Sequence, residues 1–533
     1  MTNKIYCAGL VGTDTRIIEI ESAFTRGLPN FHITGLATSS IQESKQRVQS
    51  ALANSNFTLP PLKITINLSP SDIPKSGSYF DLPIALVLQA NAQPALPQEA
   101  QDSKKWFAFG ELGLDGSIKY TQSMYPLLFD LALLAPSSHV IVPESAKDML
   151  EVIPHLHFHF APTLACALDI LTTPLPSASQ DSFLDSQTFK ENQNAKEKHC
   201  MQKLGFSCLE VEGELYYYLH DFELDFSEVR NQEVAKRAAL IAAAGFHNII
   251  FEGSPGCGKS MIAKRMRAIL PPMSLKEMMQ TLKLQCLDSH NPTYSPLRPF
   301  RNPHQSASKA SILGSATQYE PKPGEIALAH NGILFFDELP HFKRDILESL
   351  REPLENNKMT ISRVHSKLEY DTSFQFIGAQ NPCPCGNLLS PTKECRCQDK
   401  EIATYKNRLS EPFLDRIDLF VQMNEKEREE GDKAVSGLDS QSMQKSVFEA
   451  FIFARQTRGQ KVFNAKLSEK EIEEFCTLSA EAQTLLSQAS ERFNLSMRSL
   501  NKIKKIARTI ADLAQSPQIH KEHILEALSF RRI

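Results

Sequence analysis

The chain has 533 residues, with 58 Lys and Arg against 62 Asp and Glu for a formal net charge of −4. That length holds roughly three or four folding units at about 150 residues each, and the near-neutral charge excludes a general polyanion binder while leaving room for a local basic channel. A hydrophobic share of 41% with 23% charged residues excludes a disordered chain, and the longest apolar run, 82–88, is core-sized rather than bilayer-sized. The opening MTNKIYCAGLVG has no basic segment followed by a long apolar one, so the expectation is a cytoplasmic protein with no membrane partner, in which 11 cysteines do not form a disulfide framework.

In chain order, strand-like runs at 16–20, 63–68 and 139–142 alternate with a helical pattern at 40–53, predicting an α/β or α+β domain over residues 1–172. Residues 173–224 begin with a polar, anchor-poor stretch and are expected to be a linker or variable segment. Over 225–423, helical patterns at 232–245 and 259–270 alternate with buried strands at 248–251, 332–336 and 374–379. That alternation predicts a parallel sheet wrapped by helices. After the acidic stretch 424–443, the remainder to residue 533 has helical period, as expected of a small helical lid.

Between the strand at 248–251 and the helix at 259 lies Gly253-Ser254-Pro255-Gly256-Cys257-Gly258-Lys259-Ser260, which fits G-x-x-x-x-G-K-[ST]. Its glycines let successive N–H groups turn toward phosphate oxygens. Lys259 reaches the β- and γ-phosphates of a nucleoside triphosphate, Ser260 ligates Mg²⁺, and the helix N-terminus adds positive potential. Cys257 is either a small apolar filler or an oxidisable brake on turnover.

The strand at 332–336 ends in Asp337-Glu338. Opposite a phosphate loop, Asp337 would hold the Mg²⁺ shell and Glu338 would orient and deprotonate water; by itself the pair could equally be two solvated acids. The strand at 374–379 leads to Asn381, whose amide could position the same water or simply start the turn before Pro382. Arg408 precedes SEPFLDRID and Arg416 stands within it, and Arg498 follows Ser496, a good N-cap. Each arginine could act in trans on a neighbour's γ-phosphate or serve as a surface ion-pair residue.

Cys383, Cys385, Cys395 and Cys397 form C-x-C-x9-C-x-C. Four thiolates on one short excursion suit a structural Zn²⁺; free thiols, disulfides and an iron–sulfur cluster are the alternatives.

The segments DFSEVRNQEVAKRAALIAAAGFHNIIFEGSPGCGKS, RPFRNPHQSAS, PKPGEIALAHNGILFFDELPHF, LREPLENNKMTISR, NPCPCG, CRC, LSEPFLDRIDL and SMRSLNKIKKIARTIADL stand in this order. In them the chain resembles the AAA+ ATPases, and within these the magnesium-chelatase-like YifB or ComM family. Gln305, Ser315 and His341 depart from the family's usual residues, which bears on loop contacts rather than hydrolysis. The resemblance implies an α/β AAA+ P-loop core with a C-terminal helical lid, Asn381 as sensor 1, Arg416 as arginine finger with Arg408 as the other candidate, and Arg498 as sensor 2. GLPNFHITGLATSSIQESKQRVQSALANSNFTLPPLKITINLSPSDIPKSGSYFDLPIALVL and FAFGELGLDGSIK are similar to the family's N-terminal domain, which implies the ribosomal-protein-S5-domain-2-like α+β fold shared with Lon proteases. That kinship raises ATP-dependent proteolysis as a rival function, for which Ser78 is the candidate nucleophile without an evident lysine base.

An insert at 297–325 and a hairpin tip expected at Asn356-Asn357-Lys358 would, as in this AAA+ branch, face a central pore. Arg301, Lys309, Lys322, Lys358 and Arg363 are the candidate DNA contacts, giving salt-dependent binding without sequence preference, or else a solvated surface. The resemblance therefore implies an ATP-hydrolysing hexameric DNA motor with helicase or branch-migration activity on recombination intermediates in natural transformation. The runners-up are a magnesium-chelatase-type ATPase that remodels a protein partner, and an ATP-switched interaction protein.

Overall fold

The computed structural model describes residues 4–11, 14–92, 105–151, 153, 155–173, 195, 197–199, 201–288, 293–316, 321–363, 366–390, 393–423 and 438–532. The chain divides into two compact units, Met1–Gly205 with Leu282–Thr293, and Phe206–Thr281 with Tyr294–Ile533.

The first unit is built on a seven-stranded mixed sheet in the order Asn30–Thr34, Lys63–Ser69, Asp14–Thr25, Lys4–Val11, Trp106–Ala108, Ser138–Pro143, Leu156–Ala161. Period-two burial sets its register: Ile64, Ile66 and Leu68 are buried, and Leu68 pairs with the buried Ile20. The helix Asp81–Ala92 is apolar almost all round because it is buried almost all round. Its first residue, Asp81, is fully buried and accepts Arg47 Nε at 2.6 Å and Nη2 at 3.1 Å.

The second unit carries five parallel strands in the order Phe300–Arg301, Ile333–Phe336, Gln375–Gln380, Ile249–Gly253, Leu419–Met423. Strands covered on both faces read as unbroken apolar runs, and Ile333–Phe336 is buried at every position. The strand leading into the phosphate loop lies between Gln375–Gln380 and Leu419–Met423, with Ile249 in register with Ile377 and Leu419. Because all five strands run the same way, the residues that follow Gly253, Phe336 and Gln380 gather at one edge.

Several local expectations shift. The helix predicted over 259–270 is α-helical only through Lys259–Arg265 and closes with a tighter turn, Met266–Ile269, since Pro271 and Pro272 supply no N–H to continue it. The hairpin tip is not at Asn356–Lys358. Arg351–Asn356 is a helix stopped by Asn357 at φ 53°, and Lys358–Arg363 then pairs with Ser366–Asp371, putting Lys358 at the hairpin's base and Arg363 at its far end. Arg301 lies in the edge strand of the central sheet rather than on a hairpin. Residues Ser207–Val211 and Glu214–Tyr218, inside the expected variable segment, form a hairpin extended by Met273–Ser274.

The C-terminal part is helical: Ser440–Arg458, Ala480–Phe493, Met497–Leu513 and Lys521–Ser529. Asp439, Ser479 and Ser496 cap the first three, each accepting an N–H from three residues on. The first starts inside the acidic stretch predicted over 424–443, of which 424–437 lies outside the described residues. Among the described residues, no helix is long and apolar enough to cross a membrane.

Candidate functional site

The phosphate loop leaves its strand at Gly253, where a side chain would collide with the Met423 carbonyl oxygen at 2.5 Å. Gly256 and Gly258 take φ of 86° and 97°, conformations that L-residues with a Cβ rarely adopt, and thereby turn the backbone into the helix Lys259–Arg265. Lys259 is buried, and its ammonium donates to the carbonyls of Gly253 at 2.6 Å and Ser254 at 2.9 Å and to Asn381 Oδ1 at 3.1 Å. Three donors thus hold the lysine against the loop and the Asn381 amide.

Ser260 Oγ donates to Asp337 Oδ2 at 2.7 Å, joining the loop to the adjoining acidic strand end. Glu338 has φ 52°, ψ 45°, a left-handed conformation costing a non-glycine residue about 1 kcal/mol, and its side chain is exposed. The Asp337 carboxylate accepts the Glu338 N–H at 3.0 Å and supports that turn. Direct contacts therefore join the lysine to the amide and the serine to Asp337, whose carboxylate in turn accepts the Glu338 N–H.

Cys257 is buried, with Sγ 3.8 Å from Lys259 Nζ, and burial pushes its thiol up from the ordinary range. An uncharged, enclosed thiol fits the filler role.

The arginines lie elsewhere on the same unit. Arg408 Nη1 donates to the Pro340 carbonyl at 3.2 Å, just after the acidic pair. Arg416 and Arg498 converge on one carboxylate, Glu355: Arg416 Nη2 donates to Oε2 and Arg498 Nη2 lies 3.2 Å from Oε1. Glu355 stands in LREPLENNKMTISR, where nothing local marks its partners. Asn248, also unmarked, donates to the Arg416 carbonyl at 3.0 Å and accepts from Phe376 N at 2.9 Å.

The four cysteines form one group whose sulfurs lie within 4.8 Å of one another, and none is disulfide-bonded. Cys383 to Cys385 is 3.5 Å, and Cys395 is 3.7 Å from each. A tetrahedral zinc with Zn–S bonds of about 2.3 Å requires sulfurs about 3.8 Å apart, so donor set and spacing both fit. The Asn387 and Arg396 amides beside Cys385 bring its thiol down to about 6, whereas contacts with Cys385 and Cys383 push Cys395 and Cys397 up, so the fit to a metal rests on donor type and spacing. Buried Cys383 lies two residues after Asn381 and ties the cluster to the amide.

Most of the candidate basic residues have acidic partners. Arg301 pairs with Glu325 at 2.5 and 2.8 Å, Lys358 with Glu369 at 2.6 Å, and Lys309 with Asp345 at 3.8 Å. Lys322 is exposed on the short strand Pro321–Pro323, and Arg363 ends its strand with a side chain outside the described residues.

A five-stranded parallel sheet, a phosphate-loop motif with acids at the same edge and a helical C-terminal part are the architecture of a P-loop nucleotide-binding protein. Three family models match: Magnesium chelatase, subunit ChlI over residues 225–431, Subunit ChlI of Mg-chelatase over 20–146, and Magnesium chelatase, subunit ChlI C-terminal over 437–531. The chain is 34% identical over 534 residues to Competence protein ComM of Haemophilus influenzae, covering 99% of this chain and 97% of that one. It is 33% identical to the YifB proteins of Salmonella typhimurium and Escherichia coli, again over 99% of this chain and 97% of theirs. The chain belongs to the ComM/YifB family of magnesium-chelatase-like proteins.

Proposed function

We propose that this protein hydrolyses ATP as a ring of identical subunits, most simply a hexamer, and uses the energy to move DNA in recombination during natural transformation. The observation that carries the ATPase half is the contact set of Lys259 and Ser260 with Asn381 and Asp337. An arriving triphosphate would draw the Lys259 ammonium from the carbonyls to its phosphates and release the Asn381 amide toward water. Glu338, exposed beside Asp337, is the base for that water. Ser260 and Asp337 offer the hard oxygen ligands Mg²⁺ takes, and the bound ion would neutralise phosphate charge. Arg416 and Arg498 would meet a neighbour's nucleotide, and the four cysteines would hold a structural Zn²⁺ beside Asn381.

The DNA half draws support from the kinship to a protein named for competence and from the candidate contacts Arg301, Lys309, Lys322, Lys358 and Arg363. Their acidic partners favour a second reading, an ATPase that remodels a protein partner as a chelatase subunit would. In the proposed division, 1–172 has the S5-domain-2-like fold, 173–224 links it to the AAA+ core at 225–423, and 424–533 is the lid; the assembly acts in the cytoplasm. Proteolysis is disfavoured, because Ser78 Oγ donates to Glu111 whereas Lys75 Nζ donates to the Gly35 and Pro70 carbonyls.

Strand displacement on three- and four-way junctions at low salt tests the choice. A DNA motor shows ATP-dependent displacement and DNA-stimulated hydrolysis, both lost in Glu338→Gln. Hydrolysis that ignores DNA, with no displacement, would leave the partner-remodelling reading.

A further inference from the structure

Two arginines and one carboxylate, from three separate parts of the sequence, form a single group at the surface of the nucleotide-binding unit. Each oxygen of Glu355 takes one guanidinium: Oε2 that of Arg416, Oε1 that of Arg498. Arg416 is fixed on further sides. Its Nε donates to the Arg351 carbonyl at 3.2 Å, its Nη1 to the Pro412 carbonyl, and its own carbonyl accepts from Asn248 at 3.0 Å. Only 10% of its side chain is exposed, against 43% for Arg498 and 45% for Glu355.

Two positive charges share one negative one, so the group keeps an excess positive charge after its internal pairing. Without Glu355 the guanidiniums would repel each other and Arg498, on the first turn of its helix, would be free to swing away. A terminal phosphate of a nucleoside triphosphate, with oxygens on several sides, is an anion that two fixed guanidinium forks can grip together.

We propose that Glu355 is a positioning residue for hydrolysis: it holds Arg416 and Arg498 at one spacing so that both reach the γ-phosphate bound by a second copy of this chain. This rests on the ring-ATPase reading above. Glu355 then acts in trans with the arginines, although it touches neither nucleotide nor water itself. A surface ion-pair cluster that merely joins the helix Arg351–Asn356 to the C-terminal helices is the competing explanation.

The experiment uses full-length Glu355→Gln, Arg416→Ala and Lys259→Ala proteins, alone and as mixed assemblies. Steady-state hydrolysis and the affinity for a fluorescent ATP analogue are read for each. Arg416→Ala should lose about 10³-fold or more in turnover. Glu355→Gln, which keeps the side chain's shape, should lose about 10- to 100-fold while binding the analogue as tightly as wild type, the expected effect of misplaced catalytic groups.

Mixing separates a role in trans from a structural one. A Lys259→Ala subunit binds no nucleotide but presents intact arginines, so mixing it with Glu355→Gln should restore hydrolysis at the Glu355→Gln subunit's own phosphate loop. Wild-type turnover in Glu355→Gln, with Arg416→Ala impaired, overturns the positioning role and leaves the ring reading standing. So does a loss in Glu355→Gln that mixing fails to repair while it repairs Arg416→Ala. Unimpaired Arg416→Ala instead removes the finger itself, and the role of Glu355 with it.

Discussion

Gly386 of the cysteine loop lies directly on Pro255 of the phosphate loop: a Cβ on Gly386 would stand 2.5 Å from the Pro255 Cδ and 2.7 Å from its Cγ. Gly386 also has φ 81°, so the glycine is required twice over, by the turn and by the close approach. The cysteine cluster and the phosphate loop therefore share a packed boundary.

Gly386→Ala must strain the turn, push Pro255 aside, or both. Strain of about 1–2 kcal/mol passed to the phosphate loop corresponds to a roughly 5- to 30-fold loss of nucleotide affinity. Titration with a fluorescent ATP analogue reads this directly, and unchanged affinity with an unchanged melting temperature would show that the boundary is slack.

Removal of the proposed zinc should act through the same boundary. Protein purified without chelator should contain about one zinc per chain, and the double variant Cys395→Ser/Cys397→Ser should contain none. Its phosphate-loop affinity should fall in the direction seen for Gly386→Ala. Metal analysis that finds no zinc in the wild type would end the assignment.

Lys259 and Glu338 should separate binding from chemistry. Lys259→Ala removes the ammonium proposed to reach the phosphates and should abolish nucleotide binding. Glu338→Gln should retain binding and lose hydrolysis by about 10²- to 10⁴-fold, the range for a positioned base. Equal loss of both properties in the two variants would contradict the assigned roles.

His330 gives the fold an acid limit. Burial is the main cause bringing its pKa down to about 4, with Arg298 and Lys466 acting in the same direction and Asp371 and Glu277 opposing them. Its Nδ1 accepts the Ser373 N–H at 3.1 Å, a bond that protonation at Nδ1 would break. The unfolded chain binds this proton near pH 6.5 and the folded one only near 4, so its stabilising contribution is complete above 6.5 and is lost as pH falls between them. The loss is on the order of 3 kcal/mol. Urea unfolding midpoints at pH 7 and 5 should differ less for His330→Gln than for wild type.

Asp512 should be among the costlier polar residues to remove. Arg458 donates to it at 2.8 and 2.9 Å, and Arg508, fully buried, donates at 3.1 Å. Asp512→Ala leaves two enclosed guanidiniums without their counterion, a change costing about 3–5 kcal/mol. Denaturant unfolding should register that loss in full, whereas a surface pair such as Lys445 with Glu449 should contribute about 0–1 kcal/mol.

The chemistry-bearing local motifs were legible in the sequence. Gly253 to Ser260 must curl because of where its glycines stand, Asp337 and Glu338 must lie at a strand end because four apolar residues precede them, and Cys383 to Cys397 can converge because one short excursion carries all four. Type and approximate length of the core elements followed from apolar periodicity, with the last turn of the helix expected over 259–270 tightening before Pro271. The hairpin base at Lys358 was misread as a tip because a left-handed asparagine at a helix end and one in a tight turn look alike in sequence.

What only the tertiary structure decided were contacts made across the sheet edge. Arg416 and Glu355 are 61 residues apart, Lys259 and Asn381 are 122 apart, and Gly386 meets Pro255 only because Gln375–Gln380 lies beside Ile249–Gly253. The sequence by itself determined which chemical groups are present and the local turns that expose them. Their partners were decided by strand order, because a charge or a close backbone approach acts through distance in space, which the spacing of residues along the chain does not encode.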